Sequence, residues 1–345
     1  MRVDAEHHPH AVRAALEHLE RSGDAPVSIL YVGGSEKVDE PGQAPDLGYP
    51  TEWPADALGA LRQMISERQP DVVIDRTADP VVDDRRRQVF AAITLASGVA
   101  YEAPGASYRP LSRPAVGPIP SVGVIATGKR TGKTALSGAF TRHAAARGRT
   151  PCVVAMGRGG PAEPVVIAAQ RPLGVEQLAE VARGGEHAAS DFYEDAVMTG
   201  AATIGCRRVG EGPTGEVGHS NVAQGLERLR ELDVDLAVLE GSGAAIPPAH
   251  ADATMLIVPA TIDPIDLHAM LPLRFLLADL IVLTMADERL VDESQTARVR
   301  EAVEEILRRL QRDDAPPGVV TTRFRPAPLG EVAGRRVVVA STAPS

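Results

Sequence analysis

One segment of the chain, residues 121–147, constrains the fold more than any other. It begins with a short apolar run, Ser-Val-Gly-Val-Ile-Ala, which is typical of a buried parallel strand. A loop that contains glycine and cationic residues follows, and from Thr134 the sequence is rich in alanine and helical in pattern until Gly148. A strand, a glycine loop and a helix in this order predict the phosphate-binding unit of a parallel α/β sheet.

The loop matches the pattern G-x-x-x-x-G-K-[ST] with one departure, because Thr127 stands where the first glycine belongs and Gly128 follows it. In such a loop, backbone N–H groups hold phosphate oxygens, the lysine reaches the terminal phosphates and the hydroxyl binds Mg²⁺. An ordinary glycine turn before a helix is the alternative, and it leaves the residue types unexplained. The predicted nucleotide-binding residues are Gly128, Lys129, Arg130, Thr131, Gly132, Lys133, Thr134 and Ala135.

Lysine is rare in this chain, and its placement supports the same interpretation. Only three of the 36 Lys and Arg residues are lysines, and two of them, Lys129 and Lys133, lie in this loop. An ammonium is a compact charge on a flexible stem, whereas a guanidinium is a rigid planar fork. A site shaped around a transferring phosphate therefore need not accept arginine in place of lysine.

Composition and charge exclude several classes of protein. The sequence has no apolar run of the roughly 20 residues that a membrane helix needs, and its first residues lack an apolar signal core, so we expect a cytoplasmic protein without membrane contact. The formal charge of −10 argues against nonspecific nucleic-acid binding. Cys152 and Cys206 are too few for a disulfide framework or a four-cysteine zinc site.

Helices and strands alternate along the chain, which predicts an α/β protein with two sheet domains. An N-terminal α/β sheet domain is expected over 1–103, a Pro/Gly-rich connector over 104–120 and a P-loop NTPase domain over 121–345. The second domain is predicted to have a mainly parallel sheet with helices on both faces. Predicted strands are 27–32, 71–75, 121–126, 151–156, 235–240, 253–258, 279–284, 318–324 and 335–341. Predicted helices are 11–21, 55–68, 83–97, 134–147, 175–183, 188–198, 221–232 and 294–310.

Two further motifs follow predicted strands of the second domain, where ligands bind in parallel sheets. Glu240 ends an apolar strand before Gly-Ser-Gly, and a carboxylate there can hold Mg²⁺ directly or through water. A helix cap or a surface charge is the alternative role. Arg158 emerges from a turn with Gly159 and Gly160, so its guanidinium can reach an anionic substrate or a γ-phosphate. The alternative is a solvated arginine.

A third candidate anion site is the segment that contains Arg207 and Arg208, which we expect to lie in a glycine-rich loop. Adjacent arginines suit a multiply charged anion, and surface ion pairing is the alternative. His219 is either a proton carrier or a structural hydrogen-bonding group. Asn221 either caps the following helix or lies where that helix presents its first N–H groups to the anion.

Together these motifs resemble the cyclic 2,3-diphosphoglycerate synthetase family. The Glu-Gly-Ser-Gly motif occurs more widely, in P-loop enzymes such as dethiobiotin synthetases, whereas the P-loop and the Arg158 motif are specific. The family pattern continues beyond a position like Ser345, so we expect a shortened homologue or a fragment. The resemblance covers nearly the whole chain and is carried by 3–7, 33–37, 127–134, 155–161, 203–208, 239–243, 283–285 and 324–326.

The resemblance implies an ATP-dependent ligase that closes 2,3-diphosphoglycerate into its intramolecular phosphoanhydride and releases ADP and phosphate. It implies ATP and Mg²⁺ as cofactors, a small-molecule substrate, and a homodimer as one expected assembly. Thr134 and Glu240 would hold the metal, and Lys129 with Arg130 would bridge the γ-phosphate and a substrate phosphate. The catalytic residues would be Lys133, Lys129, Arg130, Arg158 and Glu240. The substrate-binding residues would be Arg158, Gly159, Gly160, Arg207, Arg208, His219 and Asn221.

Two other functions remain open from the sequence. The first is another P-loop ligase or kinase that acts on a different small anionic metabolite. The second is a nucleotide-dependent regulator, against which the arginines of the predicted substrate loops argue. The Asn/Thr-Lys-x-Asp signal is absent after the strand predicted at 279–284, where Asp287 is the candidate base-reading acid, so ATP depends on the family resemblance.

Overall fold

The computed structural model describes residues 1–37, 43–171, 173–187, 190–311, 315–324 and 333–336. Within these residues the chain is an α/β protein with two small N-terminal sheets and a larger, mostly parallel sheet that carries the P-loop. The predicted fold class is therefore confirmed.

The N-terminal half contains two three-stranded sheets, in the orders β3-β2-β1 and β4-β5-β6, and an isolated parallel bridge between Arg2 of β1 and Asp75, the residue after β4, connects them. Only β6 runs antiparallel to its neighbour. The strands are β1 (Arg2–Val3), β2 (Ile29–Tyr31), β3 (Thr51–Glu52), β4 (Val72–Ile74), β5 (Ala100–Ala103) and β6 (Ala106–Tyr108). The helices are α1 (Pro9–Arg21), α2 (Ala57–Arg68) and α3 (Asp84–Ala96).

The segment predicted as a connector, 104–120, is partly regular structure. Strand β6 lies inside it and forms a hairpin with β5, in which Ala103 pairs with Ala106. Gly105 makes the turn at φ 77°, a left-handed conformation that glycine adopts without a steric penalty. The irregular proline-rich stretch therefore begins only after Tyr108, and the predicted domain boundaries stay a prediction.

The larger sheet has the strand order β11-β10-β8-β12-β7-β13-β14-β15, and β9 also pairs with β10. Its strands are β7 (Ser121–Ala126), β8 (Pro151–Gly157), β9 (Val165–Ile167), β10 (Ala202–Val209), β11 (His219–Ser220), β12 (Leu236–Glu240), β13 (Ala253–Pro259), β14 (Leu280–Thr284) and β15 (Gly318–Thr321). Its helices are α4 (Lys133–Ala146), α5 (Val175–Arg183), α6 (Asp191–Thr199), α7 (Val222–Leu229), α8 (Pro264–Ala269), α9 (Leu273–Leu277) and α10 (Glu293–Leu310).

The predicted strands and helices of this half are found with small shifts at their ends, except at the C-terminal edge. Strand β15 ends at Thr321, three residues before the predicted end. Of the strand predicted at 335–341, residues 335 and 336 are not in a strand, and the remainder lies outside the described residues. The two short helices α8 and α9 and the short antiparallel strands β9 and β11 were not predicted, because each is too short to show a clear period.

Alternate residues of the central strands pack against helices on opposite faces of the sheet. On β7, Val124 packs in a cluster with Phe192 of α6, whereas Ile125 packs in a cluster with Phe275 of α9. This arrangement confirms the predicted helices on both faces. It also places the carboxyl end of β7, between β12 and β13, at the centre of one edge of the sheet.

One apolar cluster runs from the N-terminal half into the P-loop half. Phe90 and Leu95 of α3 belong to the same buried cluster as Phe275 of α9 and Val303 of α10. Helix α3 contacts both α9 and α10 directly. The two halves of the chain are therefore held against each other by a shared hydrophobic core.

A buried ion pair connects β1 to the residue that follows β4, between the two N-terminal sheets. Arg2 donates to the carboxylate of Asp75, and both side chains are fully buried. The hydroxyl of Tyr101 donates to the same carboxylate at 2.5 Å, and that of Thr77 at 2.7 Å. Burial alone would raise the pKa of Asp75, but the charge of Arg2 and these hydrogen bonds hold it below its ordinary value.

We expect Asp75→Asn to lower the free energy of unfolding by about 3–5 kcal/mol, because it leaves the Arg2 guanidinium buried without a counter-charge. Since the folded-state pKa of Asp75 is depressed, its stabilising contribution is present above the ordinary aspartate pKa and is lost as pH falls through the folded value. Urea unfolding at neutral pH measures the difference, with the exposed Asp71→Asn as control. Equal stability of the two variants would contradict a role for the pair.

Candidate functional site

The P-loop connects β7 to α4, and neighbouring strands hold its backbone. The N–H of Thr127 donates to the carbonyl of Ile257 on β13 at 3.1 Å, and the Thr284 hydroxyl on β14 donates to the carbonyl of Thr131 at 2.5 Å. Gly132 has φ 83° and precedes the first residue of α4. The loop is thus anchored from its outer side, which leaves the N-terminus of α4 free to hold an anion.

The cations of the loop have distinct environments. Lys133 is buried at the N-terminus of α4, yet it forms no hydrogen bond or ion pair within the part of the chain that the structure describes. Lys129 and Arg130 are exposed, and Arg130 adopts a left-handed conformation with φ 57°. A buried ammonium beside helical N–H groups and without an acceptor is what a bound phosphate would satisfy.

Thr134 and Glu240 lie together, as the sequence predicts for a metal site. The Thr134 hydroxyl donates to Glu240 Oε1 at 2.7 Å. Glu240 is the last residue of β12 and is buried, and its Oε2 has no hydrogen-bond partner among the described residues. A hydroxyl and a carboxylate with a free buried oxygen are the oxygen donors that Mg²⁺ uses beside nucleotide phosphates, so the pair fits this ion.

Helix α6 brings three acidic side chains near Thr134 and Glu240. These three residues were not predicted from the sequence as part of the site. Asp195 and Glu194 interact electrostatically with Glu240, and Glu194 also interacts with Lys133. Asp191 at the start of the helix lies against Gly157, the last residue of β8. The spacing could have indicated this cluster, because Asp191 and Asp195 are four residues apart and share a face of a predicted helix.

Two of the predicted anion-binding arginines converge beside the Glu-Gly-Ser-Gly motif. The terminal nitrogens of Arg208 and Arg158 lie 3.2 and 3.4 Å from the position that a Cβ would take on Gly243, and Glu211 Oε2 lies 3.1 Å from it. Arg208 is buried and donates to the carbonyl of Ser242 at 2.7 Å and to Glu211 at 2.8 Å. Burial lowers the pKa of the Arg208 guanidinium, the carboxylate of Glu211 opposes this shift, and the nearby charge of Arg158 lowers the pKa further. A bound anion would relieve both effects.

The other predicted substrate residues have different placements. Arg207 and Arg208 do not lie in a loop but in β10, where adjacent side chains point to opposite faces, so only Arg208 reaches Ser242. Asn221 is the N-cap residue of α7, but its side chain does not cap that helix. It accepts from the N–H of Arg207 at 2.7 Å and donates to two carbonyls of the loop after β8. His219 is exposed on the edge strand β11, opposite Val209.

Comparison with known families decides the classification. The model of the N-terminal domain of cyclic 2,3-diphosphoglycerate synthetase matches residues 1–109, and the model of the P-loop domain of the same enzyme matches residues 121–312. The chain belongs to the cyclic 2,3-diphosphoglycerate synthetase family. The predicted family resemblance is therefore confirmed.

Curated members of this family align with almost the entire chain. The cyclic 2,3-diphosphoglycerate synthetase of Rubrobacter xylanophilus is 40% identical over 99% of this chain and 76% of its own length. The proteins of the same name from Methanothermobacter thermautotrophicus and Methanothermus fervidus are 37% and 36% identical, over 99% of this chain and 74% and 75% of their own lengths. Among the described residues, a search for membrane-spanning helices finds none with the required length and hydropathy.

A buried arginine that was not predicted from the sequence donates hydrogen bonds to the backbone directly after the Glu-Gly-Ser-Gly motif. Arg274 of α9 donates to the carbonyl of Ala244 through Nε at 3.1 Å and through a terminal nitrogen at 2.6 Å. With Arg208 bound to the carbonyl of Ser242, guanidinium groups hold two carbonyls around Gly243. No sequence signal marks Arg274, because α9 is a short helix of apolar residues.

Gly159 and Gly160 form the turn after β8 that presents Arg158. A Cβ on Gly160 would collide with the carbonyl oxygen of Cys206 and lie 2.5 Å from its carbon. Because the obstacle is the backbone of β10, it cannot move as the end of a flexible side chain could. The turn can approach β10 this closely only with glycine at this position.

We expect Gly160→Ala to lower the free energy of unfolding by about 1–3 kcal/mol, the usual cost of forcing extra atoms into a packed region. We also expect weaker binding of phosphorylated substrate, because the displaced turn carries Arg158. Thermal unfolding and substrate titration measure the two effects. Gly212→Ala is the matched control, since its Cβ would meet only ordinary contacts at 3.8 Å and beyond. Equal behaviour of both variants would refute the steric argument.

Proposed function

We propose that this chain is an ATP-dependent ligase that closes 2,3-diphosphoglycerate into cyclic 2,3-diphosphoglycerate, with ADP and phosphate as the other products. The observation that carries the proposal is the convergence of Arg158 and Arg208 at Gly243, three residues after Glu240. Because β12 is the direct neighbour of the P-loop strand β7, a substrate phosphate bound by these arginines would lie beside the nucleotide. The names of the aligned relatives agree with a highly anionic small molecule as substrate.

The nucleotide side of the proposed site consists of the P-loop and the acid at the end of β12. Lys133 and the first N–H groups of α4 would bind the terminal phosphates. Thr134 and Glu240 would hold Mg²⁺, which when bound neutralises phosphate charge during phosphoryl transfer. ATP is our proposed nucleotide, and the environment of Asp287 supports it. Both carboxylate oxygens of Asp287 accept hydrogen bonds from Arg289, so they are engaged rather than free to read a guanine.

The substrate side would collect the two phosphates of 2,3-diphosphoglycerate. Arg158 and Arg208 would bind one phosphate, while Lys129 and Arg130 at the mouth of the P-loop would approach the phosphate nearest the nucleotide. Substrate and ATP bring many negative charges into one cleft, and converging cations reduce their mutual repulsion. Positioning and charge neutralisation are the main contributions that a protein makes to phosphoryl transfer.

The reaction balances in two displacements. An oxygen of one substrate phosphate attacks the γ-phosphorus of ATP, and the bond to ADP breaks. An oxygen of the neighbouring substrate phosphate then attacks the phosphorus of the activated group that is bonded to the glycerate oxygen. The bond to the transferred phosphoryl group breaks, inorganic phosphate leaves, and the ring closes. The arginines would hold the two substrate phosphates in the orientation that the second step needs.

Phosphorus NMR of the purified protein with ATP, Mg²⁺ and 2,3-diphosphoglycerate tests this proposal. We expect the signal of a cyclic anhydride to grow in step with ADP and inorganic phosphate. ADP formation without a cyclic product would reject the synthetase activity, and faster turnover with GTP would reject ATP as the nucleotide. Cytoplasmic location and homodimer formation stay predictions from the sequence.

A further inference from the structure

Asp195 is a buried carboxyl group that the proposed mechanism does not yet use. It lies on α6, is fully buried, and neither of its oxygens accepts a hydrogen bond from a donor group of the described residues. A carboxylate removed from water without donors costs several kcal/mol. An arrangement of this kind is stable only when a cation or a proton compensates the charge.

The groups around Asp195 make its buried negative charge still less favourable. Its strongest electrostatic neighbour is Glu240, whose Oε2 is also buried and unpartnered, and Asp191 and Glu194 add further negative charge. Burial, and then the charge of Glu240, raise the pKa of Asp195 well above its ordinary value. In the described part of the chain, these three carboxylate oxygens have no donor group to bind, and the carboxyls of Asp195 and Glu240 lie close enough together to share a proton.

The position of α6 links this acid to both halves of the site. Helix α6 packs against α4, whose first residues are the P-loop Lys133 and Thr134. At its N-terminus, the hydroxyl of Ser190 donates to the carbonyl of Gly159 at 2.7 Å, in the turn that carries Arg158. Asp195 therefore lies on the element that joins the nucleotide loop to the anion-binding turn.

We propose that Asp195 is a further carboxylate of the divalent-cation site and acts there together with Glu240 and Thr134, as a ligand or through a metal-bound water. The inference rests on the proposed function, because it concerns the same Mg²⁺ site. Mg²⁺ is usually held by one or two carboxylates, with water and phosphate oxygens completing its shell. This agrees with the finding that no three acidic, His or Cys side chains in the described ranges are arranged to hold a metal by themselves.

A protonated Asp195 that donates to Glu240 is the competing explanation, and one substitution separates the two. Asparagine has the shape of aspartic acid and can donate as the protonated acid does, but it carries no negative charge. If Asp195 acts as a protonated donor, Asp195→Asn leaves metal binding unchanged. If it acts as a carboxylate towards the cation, the substitution weakens metal binding without disrupting the fold.

The test is the dissociation constant of Mn²⁺ for the protein in the presence of ADP or GDP, measured by electron paramagnetic resonance. We expect Asp195→Asn to raise this constant at least about tenfold, the size of effect seen when a group supporting a metal site is removed. In EDTA without nucleotide, we expect the melting temperature of the variant to equal or exceed that of the wild type, because a buried repulsion has been removed. A dissociation constant within about threefold of the wild type would overturn the proposal.

Glu194→Gln is the matched control, because it removes one negative charge from the preceding residue of the same helix. Glu194 is exposed, so we expect its substitution to change Mn²⁺ affinity much less. An equal loss in both variants would overturn the proposal, since total charge rather than Asp195 would then set the affinity. Absence of Mn²⁺ binding by the wild type would overturn it as well. Failure of cyclisation in the NMR experiment, with an intact Asp195 effect on Mn²⁺, would reject the synthetase activity alone.

Discussion

Lys133→Ala is expected to abolish nucleotide turnover, with kcat reduced at least about a hundredfold, as when a key charge-stabilising group is removed. Lys133 is buried at the N-terminus of α4, and within the described residues its ammonium forms no hydrogen bond or ion pair, although Glu194 lies near enough to interact with its charge, so it can donate to a bound phosphate. ADP release under saturating substrate measures the loss. Because the ammonium makes no ion pair in the described chain, we expect the melting temperature without nucleotide to change little.

The third lysine provides the control for that experiment. Lys37 is partly exposed and pairs with Glu36 in the N-terminal half, remote in sequence from the P-loop. Lys37→Ala should leave turnover near the wild-type rate. Substantial turnover by Lys133→Ala, or an equal loss in both variants, would show that the P-loop lysine does not carry the reaction.

Arg158→Ala is expected to lower kcat/KM for 2,3-diphosphoglycerate by about a hundredfold, because a charged donor to a substrate phosphate is lost. We expect the affinity for ATP to stay near the wild-type value, since Arg158 lies at Gly243 with Arg208 rather than at the N-terminus of α4. Initial rates over a range of substrate concentrations give kcat/KM, and calorimetric titration with ADP gives nucleotide affinity.

Arg183→Ala on the exposed face of α5 serves as the charge-matched control, because it removes the same group from a surface position. It should leave both quantities unchanged. If Arg158→Ala weakened nucleotide binding as much as substrate use, the separation of the site into a nucleotide side and a substrate side would be wrong.

The central part of the fold and site follows from local sequence signals. The P-loop was predictable because strand, loop and helix are contiguous and each has a strong pattern. Glu240 was predictable as a residue at the carboxyl end of an apolar strand, since parallel strands bring such ends to one edge of the sheet. The hydrogen bond between Thr134 and Glu240 shows that this inference brought together residues that are 106 positions apart.

The missed features depend on contacts between elements that are distant in sequence. The unpartnered oxygens of Asp195 indicate a site only in the folded structure, where α6 brings them close to Glu240 at the end of β12. Arg274 is recognisable as a residue that holds the Glu-Gly-Ser-Gly motif only in the folded structure, where its guanidinium donates to the carbonyl of Ala244. The prediction of a loop at Arg207 was wrong. The glycines of this segment suggested a turn, but β10 pairs with β8 as far as Arg207, which is therefore part of the strand. Tertiary pairing overrode the local preference there.

The shared apolar core also limits how this protein can be divided or recombined. A fragment that began at Ser121 would expose the sides of α9 and α10 that α3 covers, including Phe275 and Val303. An uncovered apolar surface of that kind promotes aggregation. The P-loop half is therefore not a portable module. Chimeras made by exchanging N-terminal halves between relatives would need matched residues on α3, α9 and α10 to remain monodisperse.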